Sequence, residues 1–160
     1  SKTETIATGI NFPARIALNS ARPILVVPTV MEHPKQAPFN RIVIAWNGKN
    51  EAVRTTFDAL PFLKMAKEVK LLTVNPDEDS DRSSKRIVQT LKRHGVSIGS
   101  EQIINQDIST TDILLSQCAS FDADLLVLGC YGHSKFQEIV FGGVTRDIFK
   151  SMPLPVFMSH

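Results

Sequence analysis

The chain has 160 residues, 42% of them apolar, and a formal net charge of +2 at pH 7 spread over interspersed acids and bases. That length holds one ordinary domain with a real core, and the even charge excludes a basic stripe for nucleic acid. The longest apolar runs, such as Ile24 to Val27 and Leu125 to Leu128, fall far short of a membrane span. Cys118 and Cys130 sit in no C-x-x-C and beside no matching His cluster, so two reduced thiols in a cytoplasmic protein are expected, with no metal role. From the start of the chain, residues 6–20 are predicted helical, with Ile10, Ala14, Ala17 and Leu18 on one apolar face and Gly9 and Pro13 weakening the first half. Ile24 to Val27, fenced by Pro23 and Pro28, reads as a strand. Residues 29–40 carry Pro34 and Pro38 and read as a stiff linker, with His33 solvated.

From Arg41 the alternation is regular. Ile42 to Ala45 is a buried strand ended by Asn47-Gly48. Glu51 to Ala66 is a helix expected to turn Val53, Phe57, Leu60 and Leu63 inward, with Pro61 imposing a kink or a weak middle. Val69 to Val74 is the next strand. Asp77 to Asp81 forms an acidic turn that also suits the N-terminus of the next helix, Arg82 to His94, which buries Ile87, Val88 and Leu91 and stops at Gly95. Val96 to Ile104 is a third strand. Ser109-x-x-Asp112 resembles a capping box opening a helix through Ser120, with Ile113, Leu114 and Cys118 buried. Leu125 to Leu128, a helix from Val144 to Ser151, and a strand from Val156 to Met158 complete the chain. Strands alternating with helices imply an α/β fold, a five-stranded parallel sheet with helices on both faces. Ligands of such sheets sit at the carboxyl ends of the strands, so Asn47, Val74 and Gly129 are expected to converge on one crevice.

The stretch with the most chemical content is Gly129 to Thr145, GCYGHSKFQEIVFGGVT, between a strand and a helix. Glycine lets bare backbone N–H groups approach a phosphate, and the helix start that follows adds unpaired N–H groups and a positive dipole end. A lone G-x-x-G is more often a tight turn that lets strand and helix pack. The spacing of Gly129, Gly132, Gly142 and Gly143 favours the phosphate. No Walker lysine follows the loop, and no carboxylate pair or Ser-His pair has the spacing of a catalytic set, so catalytic residues are expected to be none. Asp147 and Glu138 lie close enough in sequence to hold Mg²⁺, although surface carboxylates on a helix are common.

These residues give the chain its resemblance. Residues 41–160 resemble a universal stress protein domain, whose motif is G-x2-G-x9-G-(Ser/Thr) and a small apolar residue. Gly129, Gly132 and Gly142 match it, Val144-Thr145 follow, and Asn47-Gly48 and Pro153-x-Pro155-Val156 add support. The resemblance implies an adenine nucleotide alpha hydrolase-like sheet of order 3-2-1-4-5, a dimer through the last strand, and ATP, with or without Mg²⁺, in nucleotide-binding members. It would set the phosphates on Gly129, Gly132, Gly142, Gly143 and Val144, with the Thr145 hydroxyl and His133 nearby. The Val74 backbone would meet the adenine, and Asn47 would line the nucleoside end. Two positions depart from the family: Gly143 replaces a hydroxyl residue and Asn47 an aspartate.

The resemblance also accounts for the beginning. FPARIALNSARPILVVP repeats the pattern of VTRDIFKSMPLPVFMSH, pairing Pro23 with Pro155, Ile24 with Val156 and Ile16 with Ile148 at an offset of 132 (155 − 23). Residues 1–28 therefore resemble the last helix and strand of a preceding universal stress domain in a tandem protein, joined by residues 29–40 to the domain at 41–160. Its strand, Ile24 to Val27, is expected to cover an edge by pairing antiparallel with Val156 to Met158 of this chain or of a partner domain or copy. Two functions follow. One is a non-catalytic ATP-binding module of the bacterial stress response. The other is the same fold without nucleotide, acting as a dimerisation scaffold. Neither implies nucleic acid or membrane as a partner.

Overall fold

A computed structural model describes residues 22–28, 39–130 and 153–160, together with Ile16, Asn19, Asp147 and Ile148. In chain order, its elements are β1 (Ile24–Val26), β2 (Arg41–Ala45), α1 (Asn50–Asp58), α2 (Leu60–Met65), β3 (Glu68–Val74), α3 (Glu78–Arg93), β4 (Ile98–Ile103), α4 (Thr110–Ser120), β5 (Leu125–Gly129) and β6 (Val156–Ser159). They form one six-stranded sheet of order β1-β6-β5-β2-β3-β4. The five strands β2 to β6 run parallel in the expected order, and β1 is added antiparallel at one edge, with Ile24 opposite Met158 and Val26 opposite Val156.

Pleating explains the two layers. Successive side chains leave opposite faces of a strand, so in β2 Ile42 and Ile44 enter one core while Val43 enters the other. The first core gathers Ile42, Ile44, Val69, Leu71, Leu125 and Val127 against Ala59, Leu63, Ile87 and Leu91 of α1 to α3 and their junction. The second gathers Val43, Leu72, Leu126, Leu128, Val156 and Met158 against Leu114 and Cys118 of α4 and Ile148. Each fully buried leucine or isoleucine contributes about 1.5–3 kcal/mol. Both helical layers are needed, because central strands such as β5 are buried on both sides.

Local signals explain the boundaries. Asp124, 6% exposed, accepts from the backbone N–H of Asn40 (2.8 Å) and Arg41 (3.0 Å) and so fixes where β2 begins beside β5. Ser109 caps α4 as expected, accepting from the Asp112 N–H at 3.1 Å while its hydroxyl donates to the Asp112 carboxylate at 2.7 Å. Gly95, with φ of +81°, ends α3, and the Val96 N–H returns to the Leu91 carbonyl at 3.0 Å.

Four expectations need correction. The helix expected over Glu51 to Ala66 is two helices, broken at Ala59, because Pro61 falls in the first turn of α2, where it is tolerated, and cannot continue α1. Phe57, expected inward, is 39% exposed and lies edge-on to His94. The face of α1 that turns inward carries Ala52, Thr55 and Thr56, because that face meets strand ends rather than strand centres. The acidic turn is already helical: Asp77 is the N-cap of α3, and Glu78 to Asp81 make its first turn. β4 starts at Ile98, two residues later than expected, after the turn that ends α3. The helix expected over residues 6–20 and the last helix over Val144 to Ser151 lie mostly outside the described residues, although Ile16, Asn19, Asp147 and Ile148 are helical. Among the described residues, no helix is long and apolar enough to cross a membrane.

Candidate functional site

The carboxyl ends of β2 and β3 open into a crevice of about 280 Å³, lined by Asn47, Lys49, Glu51, Thr73, Val74, Asn75, Asp77 and Ser80. Each wall begins where a strand ends. β2 runs out through Trp46 into Asn47-Gly48 and then α1, while β3 runs out through Asn75 into Asp77 and then α3.

Gly48 makes the first turn possible. Its φ is +74°, and a Cβ there would lie 2.8 Å from Ser83 Oγ and 3.1 Å from Ser80 Cα, so the turn lies directly against α3. Trp46, buried, donates its indole N–H to Ser83 Oγ at 3.1 Å and ties the same two elements. Asn47 folds over its own loop. Its Oδ1 accepts from the Lys49 N–H at 3.0 Å, and its Nδ2 donates to Glu51 Oε1 at 3.1 Å. On the far wall, Asn75 holds a left-handed φ of 48°, and its side-chain amide exchanges two hydrogen bonds with the backbone of Asn105, at 2.7 and 2.8 Å. The Ser80 side chain first, then the Ser80 N–H that Asp77 accepts at 2.8 Å, with Lys49 adding a weaker pull, hold the Asp77 carboxyl below the usual carboxylate range. The Asp77 side of the crevice is therefore ionised and fixed.

Of the residues the sequence singles out, Asn47 and Val74 line this crevice together. Gly129 ends β5 on the same side of the sheet but packs behind it. A Cβ on Gly129 would stand 2.7 Å from Ala52 N and 2.7 Å from Glu51 C, so the absent side chain is what lets α1 cross the end of β5. Gly132, His133, Gly142, Gly143, Val144 and Thr145 lie outside the described residues, as does Glu138. Cys130, the next residue after Gly129, is anchored firmly: its N–H and thiol both donate to the Ser159 carbonyl, at 3.0 and 3.2 Å. Burial pushes the Cys130 thiol up to about 12, and the Cys118 thiol likewise, so both remain neutral. Both cysteines are free. Among the described residues, no cluster of three or more His, Cys, Asp or Glu side chains could hold a metal ion.

Sequence reasoning missed Glu51, Thr73, Asn75 and Ser80 as lining residues. The usable signal was position: each sits within the last or first turn of an element that meets the carboxyl edge of the sheet.

Comparison with known proteins matches this arrangement. Residues 38–160 match the universal stress protein family. No protein of curated function matches the chain in sequence. Among solved structures, a universal stress protein in complex with cAMP is 17% identical, with a TM-score of 0.63 over 78% of this chain and 98% of the other. A universal stress protein from Lactobacillus plantarum is 14% identical, with a TM-score of 0.62 over 76% and 97% of the two chains. A universal stress protein from Archaeoglobus fulgidus is 17% identical with a TM-score of 0.68, covering 86% of this chain but 49% of its own. At these identities the likeness is one of fold.

Proposed function

Because this chain belongs to the universal stress protein family, over residues 38–160, we propose that it is a non-catalytic module that binds an adenine nucleotide, ATP with or without Mg²⁺. The observation that carries this reading is the crevice of about 280 Å³ between the ends of β2 and β3, with Asn47 and Val74 on its walls. It has room for a nucleoside, and its open side lies at the carboxyl edge of the sheet, the edge that also carries Gly129. The cAMP complex of a similarly folded family member supports the ligand class. In this reading, adenine meets the Val74 backbone and the nucleoside end lies along Asn47. The phosphates reach toward Gly129, Gly132, His133, Gly142, Gly143, Val144 and Thr145.

The same reading takes residues 1–28 as the tail of a preceding domain of a tandem protein. The antiparallel pairing of β1 on β6 supports it, since a preceding domain would offer its last strand in this way. That pairing also favours a second reading, in which the fold works without nucleotide as an interaction scaffold. β1 covers the edge of β6, and Leu25 within it and Val27 just after it are 42% and 53% exposed, so contacts with a further domain or copy would form on β1.

Titration calorimetry with ATP and Mg²⁺, after any co-purified nucleotide is stripped, separates the two. Heat with a micromolar-range constant and one site per chain supports the nucleotide module. Silence up to millimolar ATP leaves the scaffold.

A further inference from the structure

The crevice holds one buried carboxylate that neither the glycine loop nor the strand-end residues account for. Glu51 is 8% exposed, sits in the first turn of α1, and is the buried acid of the lining. It is also oriented. Asn47 is pinned by the Lys49 N–H at 3.0 Å and delivers its Nδ2 to Glu51 Oε1 at 3.1 Å, while the absence of a side chain on Gly129 lets the first turn of α1 lie against the end of β5. A carboxylate has about four acceptor positions, and the Asn47 amide takes one of them. An ionised carboxylate accepts hydroxyl and N–H donors and repels phosphate.

The surrounding charges point the same way. Lys49 is set against two carboxylates, Glu51 and Asp77, and the rest of the lining is amide, hydroxyl and apolar. A neutral, donor-rich group fits such a wall, whereas a phosphate does not. We infer that Glu51 is the specificity-determining residue of this crevice, reading ligand hydroxyls so that the site takes the ribose of a nucleotide and discriminates against its deoxy forms. This inference rests on the nucleotide reading of the same site and deepens it: Asn47 positions, and Glu51 accepts. Placing the acceptor on α1 rather than at the end of β2 also offsets the loss of a carboxylate at position 47.

The test compares ATP, its 2′-deoxy and 3′-deoxy analogues, and adenosine by titration calorimetry on the full chain. Loss of a hydroxyl that bonds a buried carboxylate should weaken binding about ten- to a hundredfold for at least one analogue. In Glu51→Gln, which puts a neutral amide in place of the carboxylate, that ratio should fall to within about threefold. Equal binding of all three triphosphates by the unaltered chain overturns the inference while leaving the nucleotide module intact, and this comparison needs no variant to fold. An undiminished ratio in Glu51→Gln, with the variant shown folded by circular dichroism, overturns it as well. Silence with every adenosine compound overturns the nucleotide reading itself, and this inference with it.

Discussion

Thr55 and Ser159, 104 residues apart in the chain, hold each other by two hydrogen bonds. The Thr55 hydroxyl donates to the Ser159 carbonyl at 3.0 Å and accepts from the Ser159 N–H at 3.1 Å. Both residues are buried, at 0% and 1% exposure. Ser159 ends β6 in register with Gly129 of β5, and its carbonyl also accepts from the Cys130 N–H at 3.0 Å, so the Thr55 hydroxyl ties the end of this ladder to α1. This is why α1 turns a threonine inward where periodicity favours Phe57.

Replacing Thr55 with valine keeps the shape and removes the hydroxyl. Both hydrogen bonds between α1 and the end of β6 are then lost, while the Ser159 carbonyl keeps its two donors from Cys130. Stability should fall by about 1–3 kcal/mol, read from the denaturant midpoint at constant slope. Thr55→Ser, which retains the hydroxyl, should lose less than Thr55→Val. A valine variant as stable as the parent would mean that water reaches Ser159.

Gly129→Ala should cost about 1–3 kcal/mol through overpacking. The atoms a Cβ would meet, Ala52 N and Glu51 C at 2.7 Å, are backbone and cannot rotate away, so α1 must move as a unit. Chemical denaturation measures this in the absence of any nucleotide. An unchanged midpoint would show that α1 retreats freely, and that the first glycine of the loop is free of a packing role.

The buried thiols should make the protein sensitive to alkali. In the unfolded chain each thiol titrates at its ordinary value of 9.0, and in the folded protein burial holds it near 12. Between those values the unfolded state gives up protons that the folded state keeps. The contribution is thus fully present below pH 9 and is lost as pH rises toward 12. Unfolding midpoints measured across that window should fall less steeply for the double variant Cys118→Ala, Cys130→Ala than for the parent. At pH 8 without denaturant, neither thiol should react with a thiol reagent; prompt labelling of Cys130 would contradict its burial.

How far the fold could be read ahead depended on whether a residue's role was local. The Ser109 cap, the Gly95 stop and the Asn47-Gly48 turn were legible because each acts on its own few neighbours, and the parallel alternation followed from their order. The antiparallel docking of Ile24 to Val26 on Val156 to Met158 was legible from the internal repeat together with the family resemblance, which implies antiparallel pairing of last strands. Phe57 was misplaced because apolar periodicity assumes a helix packed over strand centres, whereas α1 crosses strand ends, where Thr55 bonds the Ser159 backbone. Glu51 escaped notice for a related reason. A glutamate in a first helical turn ordinarily reads as a solvated partner of the helix dipole, and only the Asn47 contact and its burial set it apart.

The loop substitutions test the phosphate end independently of the crevice. Under the proposed nucleotide reading, Gly142→Val should abolish ATP binding while circular dichroism and the unfolding midpoint stay close to those of the parent, because a branched side chain would block the approach of phosphate to the loop backbone. Gly143→Ser acts in the opposite direction. It restores the hydroxyl that this chain lacks in the motif it otherwise matches, and one added hydrogen bond to a charged oxygen should tighten ATP binding about five- to tenfold or more. Titration of both variants beside the parent measures the pair. Unchanged affinity in Gly142→Val would remove the loop from the site. Tighter binding in Gly143→Ser together with loss in Gly142→Val would locate the phosphates at the glycine pair and leave the crevice of Asn47, Glu51 and Val74 to the nucleoside.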